Sequence, residues 1–162
     1  MKTTMHHAAA LLALLMGPGT ALANETPMSP TELAACAQQV QTLRSDAPRL
    51  NAWSQQIEAR RSTINARGDS LKLDAAQQQK NDLEAGIALH DRRQQHNAEA
   101  SAFNAEIERF KREVNAINVL KNQYDRACST RPFRRADLMA LPEAQRRAMQ
   151  MGLADVVVPY LD

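Results

Sequence analysis

Aromatic residues make up only 4% of this 162-residue chain, which excludes the broad, ring-filled core of a conventional compact domain. The composition suits long helices that bury a narrow stripe. A surplus of one charge is also missing, since 20 Lys and Arg face 18 Asp and Glu. A dedicated nucleic-acid binder would show a marked basic excess, so no nucleic acid is expected as a partner. Long apolar runs are lacking too. The one uncharged, mainly apolar stretch, Ala8 to Met16, falls far short of the roughly 20 residues that span a bilayer. There is no nucleophile elbow, glycine-rich phosphate loop or Cys-x-x-Cys pair. Carboxylates are plentiful, but nothing in their spacing singles out two of them. The sequence therefore predicts a protein that is not an enzyme and uses no cofactor.

The short apolar stretch has another use. Lys2 precedes it, Gly17, Pro18 and Gly19 would break a helix after it, and Ala21-Leu22-Ala23 supplies small residues at the −3 and −1 sites of a signal peptidase. Residues 1–23 are expected to be a signal peptide cleaved between Ala23 and Asn24, giving a periplasmic or secreted product without a transmembrane span. His6 and His7 go with it, and no cysteine at the cleavage site offers a lipid anchor. Cleavage removes Lys2 alone among the charges, leaving 139 residues with 19 Lys and Arg against 18 Asp and Glu, a net +1. That is the length of one domain. Its two cysteines, Cys36 and Cys128, would meet an oxidising compartment and are predicted to join.

Residues 24–30 hold two prolines and small polar residues, and read as a flexible lead-in. Ser29 or Thr31 can cap the helix that follows, with Pro30 in its first turn. From Leu33 the apolar residues fall on a heptad grid. Cys36, Leu43, Leu50, Ile57, Ile64 and Leu71 recur every seven residues, with Val40 and Ala47 interleaved, as in a coiled-coil seam. Pro48 interrupts it, but the grid keeps its phase from Leu43 to Leu50, so one kinked helix is expected rather than two. A second seam runs through His96, Phe103, Phe110, Ile117 and Tyr124, with Ala100, Ile107, Val114 and Cys128 as alternate knobs. Helical spacing explains its aromatics as core.

These two seams predict an all-α fold, a long antiparallel helical hairpin over 31–128. Local signals place its tip at Gly68. The cysteines disagree. With a turn near 68, Cys36 faces a residue near 101, and Cys128 lies roughly 40 Å further along at 1.5 Å per residue, too far for a disulfide. Setting Cys36 opposite Cys128 makes the numbers of facing residues add to 164. Val40 then meets Tyr124, Ala47 meets Ile117, Leu50 meets Val114 and Ile57 meets Ile107. Two layers fit poorly, Arg61 on Phe103 and Leu43 on Lys121. The tip moves to about residue 82, leaving Gly68 as a flaw in the first arm or the start of an irregular tip over 66–82. Residues 129–162 form a tail. A short turn at Asp137 to Ala140, a helix from Leu141-Pro142-Glu143 to about Met151, and a β-prone Val156-Val157-Val158 that ends at Pro159 and gives an extended Tyr160-Leu161-Asp162 are expected to cover the hairpin base near the disulfide.

Candidate binding residues are few. His90 and His96 are six apart on a helix and do not face the same way, so no metal site is predicted. Arg126, Arg131, Arg134 and Arg135 cluster at the end of the second arm. Their ordinary role is to complement the helix dipole and its last carbonyls. The alternative is a contact for an anionic partner, such as a phosphorylated envelope glycolipid or an acidic protein surface. Asn97, Asn104 and Asn118, each just after a seam residue, are candidates for register-setting hydrogen bonds to the first arm.

The stretch from His96 to Leu138 carries apolar-Asn pairs, Asn-x-Tyr-Asp-x-x-Cys at Asn122 to Cys128, and Arg-Pro-Phe-x-x-x-Asp-Leu after it. Over this quarter of the chain it resembles uncharacterised exported coiled-coil hairpin proteins of Gram-negative bacteria. The resemblance implies a periplasmic helical hairpin and transfers no site. Three functions fit the whole. One is an interaction or scaffold module presenting its helical faces to a protein or other envelope component. The others are a chaperone-like holdase for exported proteins and a metal- or ligand-binding accessory subunit. The apolar stripes also permit a homo-oligomer.

Overall fold

The computed structural model describes residues 26–79 and 81–160; the predicted signal peptide and its cleavage site lie outside them. Helix α1 spans Pro30–Gln77 and opens on Ser29. The Ser29 hydroxyl accepts from Glu32 N at 3.3 Å, and the Glu32 carboxylate accepts from Ser29 N at 2.8 Å. This reciprocal capping box satisfies two N–H groups that a helix start leaves orphaned. Pro30, without an N–H, costs nothing in the first turn. Every apolar residue of the first heptad grid is buried.

α1 runs unbroken through Pro48 and Gly68. An interior proline costs about 3 kcal/mol and an interior glycine about 1 kcal/mol. Burial of one large aliphatic side chain contributes about 1.5–3 kcal/mol, and Leu43 and Leu50 flank Pro48 in the core. Packing on both sides of each defect outweighs it, so the first arm is a single helix and Gly68 is a flaw within it.

The chain reverses between the end of α1 and Asp82. Asp82 caps α2 (Leu83–Ala127) by accepting from Ala85 N at 3.0 Å. α2 returns antiparallel and buries Phe103, Phe110, Val114 and Ile117 against α1. Trp53 meets Phe110 edge to face, with ring centroids 5.3 Å apart, and the Arg60 guanidinium lies 5.4 Å over the Phe103 ring. Both contacts keep the spacing set by Cys36 opposite Cys128. One expected layer is corrected: Arg60, not Arg61, covers Phe103, and Arg61 turns back to Glu58 on its own helix. Lys121 likewise swings to Asp125, leaving Leu43 buried among apolar neighbours.

Cys36 and Cys128 are joined, their Cα atoms 5.9 Å apart. Around them a small second core gathers Met28, Leu33, Ala37 and Leu141. Met28 is 2% exposed and its N–H donates to Pro132 O at 2.9 Å. The lead-in expected to be flexible is thus tied to the clasp at Met28, because a buried methionine gains more than a free terminus would.

The tail adds α3 (Arg135–Ala140) and α4 (Glu143–Met151), both lying on α1. Gly152 ends α4 at φ 65°, ψ −152°, a region essentially open to glycine alone. Beyond it the chain turns over residues 153–156, where Val156 N donates to Leu153 O at 3.1 Å, and then runs along the hairpin, further from the clasp than expected, with Val158 entering the main core. Among the described residues no helix is long and apolar enough to cross a membrane.

Candidate functional site

Ion pairs between the arms are built on the same heptad as the core. Arg92, Glu99, Glu106 and Glu113 recur every seven residues on α2, and they pair with Asp74, Arg67, Arg60 and Arg49 of α1. Single exposed pairs contribute about 0–1 kcal/mol, but the ladder has a direction. The sign reverses at the distal pair, where the acid is on α1 and the base on α2. A slip of one heptad one way sets Asp74 against Glu99, and the other way sets Arg67 against Arg92. Either slip creates a like-charge contact, so the ladder selects the register that the disulfide locks.

Midway along, Trp53 and Glu106 form the wall of an open groove of about 490 Å³ lined by Arg49, Gln56, Arg109 and Glu113. Trp53 Nε1 donates to Glu106 Oε1 at 3.0 Å, and Arg60 bonds the other carboxylate oxygen. The Arg109 guanidinium lies 6.0 Å over the indole. Trp53, Glu106, Arg49 and Glu113 each have a polar partner here, so the wall of the groove is a braced surface. Sequence reading passed over Trp53, although its place three residues after Leu50 and four before Ile57 marks it as a seam flank.

At the base the four predicted arginines separate. Arg131 bonds Glu32 at 2.8 Å and so holds the start of α1 to the turn after α2. This contact, first, and the Ser29 hydrogen bonds, second, lower the Glu32 carboxyl to about 2. Arg126, in the last turn of α2, and Arg134 and Arg135, at the start of α3, are exposed and have no ion-pair partner among the described residues. The end of α2 is closed by other groups, with Cys128 N and Ser129 N donating to Tyr124 O and Ser129 Oγ donating to Asp125 O.

The histidines lie apart in role. His90 is exposed and bonds Gln94. His96 is half-buried against Gly68, and its Nδ1 is buried without a hydrogen-bond partner. Among the described residues no group of three or more His, Cys, Asp or Glu could hold a metal ion. Of the three asparagines, Asn97 and Asn104 are exposed, and Asn118 donates to Val114 O and to Pro159 O. Asn118 therefore serves the tail and its own helix rather than the first arm, because the extended segment has taken the place beside it.

The tip differs from the base. Leu73, Leu83 and Ile87 are 63%, 78% and 56% exposed, and Leu83 and Ile87, four apart on a helix, share one face. The base is clasped by the disulfide and overlaid by α3 and α4 of the tail, with Phe133 and Met139 of that tail exposed in turn.

Fold and surfaces together define an antiparallel α-helical hairpin, clasped by a disulfide at one end and bare at the other. No protein-family model matches the chain, and neither a curated protein nor a solved structure is significantly similar to it.

Proposed function

We propose that the protein is a non-enzymatic interaction scaffold of the bacterial envelope, working in the periplasm after removal of residues 1–23 and binding an envelope protein through its helical faces. The disulfide supports an oxidising compartment. The observation that carries the reading is the bare tip, where Leu83 and Ile87 stand exposed on one face at the end furthest from the clasp. Uncovered apolar residues grouped at one end of a rod mark a contact surface better than single ones scattered along it. Arg126, Arg134 and Arg135 offer a second, electrostatic contact at the base for an acidic or phosphorylated surface.

Cross-linking and pull-down from the native envelope tests this, comparing the wild type with a Leu83→Asp/Ile87→Asp variant. A partner captured by the wild type and lost from the variant is the expected result. An identical capture profile from both would remove the tip from the reading. The same exposed Leu83 and Ile87 favour the holdase as the second reading. Suppression of aggregation of a reduced, unfolded substrate, abolished in that variant, would select it.

A further inference from the structure

The extended tail lies on the hairpin in the way a peptide lies on a receptor. Its side chains alternate as in a strand: Val156 is half-buried, Val157 points out, and Val158 is 4% exposed within the main core. Three hairpin side chains hold it, and each takes a main-chain carbonyl. Arg44 Nη1 donates to Gly152 O at 2.8 Å, Asn51 Nδ2 to Val157 O at 2.7 Å, and Asn118 Nδ2 to Pro159 O at 3.0 Å. Arg44 and Asn51 belong to α1 and Asn118 to α2, so the seat spans both arms.

Carbonyl capture is blind to sequence. Two side-chain features of the segment are read besides. Asp155 is gripped by both terminal nitrogens of Arg44, at 2.7 and 2.9 Å, and Val158 fills an apolar seat. Asp155 is presented from the turn that Val156 N closes on Leu153 O at 3.1 Å, so the groove specifies a turn carrying a carboxylate three positions before a small β-branched residue.

We propose that this groove is a peptide-binding site for a turn-containing segment of a partner protein with that acidic-x-x-β-branched pattern, and that residues 152–160 occupy it as a competing ligand in cis. The site deepens the interaction reading by naming one partner chemistry, and it is separate from the tip. A tethered segment has an effective concentration in the mM range for a short linker, so the partner must displace it. Release is local, because Val158 is the one fully buried side chain of the segment and Asp155 is two-thirds exposed. A second copy would offer its own segment less readily, since the segment leaves α4 directly at Gly152 and Leu153 packs against the same core.

The test uses the purified full chain and a fluorescent peptide with the sequence of residues 152–160, read by anisotropy. Val158→Asp should undock the tail, and this variant should bind the peptide at least ~10-fold tighter than the wild type. Adding Asn51→Ala and Asn118→Ala should lose that gain, and a peptide carrying its own Val158→Asp should not bind. Asp155→Arg, a change at an exposed position, is a second undocking variant should the first fail to fold. Binding no tighter to a folded undocked variant than to the wild type overturns the proposal. So does a wild-type dimer that Val158→Asp abolishes without peptide binding, which would assign the groove to a second copy. Neither result touches the tip, which the Leu83→Asp/Ile87→Asp variant examines independently.

Discussion

The imidazole of His96 lies so close to the backbone of Gly68 that a Cβ at position 68 would come within 3.2 Å of Nε2. The glycine is therefore a point of contact between the arms. Alanine in a helix interior is favoured over glycine by about 1 kcal/mol, yet Gly68→Ala should leave stability nearly unchanged because the ring must give way. In a His96→Ala background the same substitution should recover the full helical gain. Urea unfolding of the four proteins measures the coupling, expected at about 0.5–1 kcal/mol. Additive effects would show that the ring does not require the glycine.

The clasp should dominate the stability of the fold. Cys36 and Cys128 are 92 residues apart, and closing a loop of this size stabilises by about 4–5 kcal/mol in the chain-entropy model. Reduction, or the Cys36→Ala/Cys128→Ala variant, should lower the melting temperature markedly and expose Met28 and Leu141, which pack around the sulfurs. A melt unchanged in reductant, for protein that mass spectrometry shows was oxidised at the start, contradicts this.

Much of this architecture was written in the sequence, and what was not has physical causes. Heptad spacing fixed the buried face of both arms, down to Leu33 and Leu71, because helical period and burial report the same geometry. It could not fix which heptad faces which, since a shift by seven preserves the face. The cysteines resolved that, and the sign reversal from Arg67–Glu99 to Asp74–Arg92 was a second register signal that went unread. Gly68 misled as a breaker because glycine reports both chain reversal and close approach.

The tail was legible in α4 and opaque in its path, and the short turn expected at Asp137 to Ala140 is the helix α3. Gly152 stopped α4 as expected, but the seat of Val158 depends on Arg44, Asn51 and Asn118, which come from two distant parts of the chain. Nothing local links them to residues 152–160. The scattering of the arginine cluster has the same origin, since only the return of the chain beside Glu32 decides that Arg131 is the one bound there.

Acid should loosen the base. The Glu32 carboxyl titrates at about 2 in the fold, below its ordinary 4.5, first through Arg131 and then through Ser29. A lowered folded value means that its contribution is full above about 4.5 and is lost as pH falls toward 2. The Asp155 carboxyl is also lowered, by Arg44, so tail docking weakens in the same direction. Glu32→Gln should melt below the wild type near neutrality, and the gap should close on acidification. A gap that stays constant down to pH 2 would mean that the charge of Glu32 plays no part.

Pro48 offers the reverse case, a defect whose removal should stabilise. The ring leaves the Arg44 carbonyl without its helical N–H partner and crowds the preceding turn, and the side chain is exposed, so no packing is lost with it. Pro48→Ala should therefore gain about 1–3 kcal/mol in urea unfolding. The tail complicates this, because Arg44 and Asn51, four residues before Pro48 and three after it, both hold the extended segment. Restoring the helical hydrogen bond to the Arg44 carbonyl changes the backbone between those two donors. If the local geometry at Pro48 serves the seat, the gain will be smaller in the wild type than in Asp155→Arg, where the segment is already released. Equal gains in both backgrounds would show that the segment docks equally well without the proline. A net loss in both would mean that α1 needs the proline for its own packing against α2.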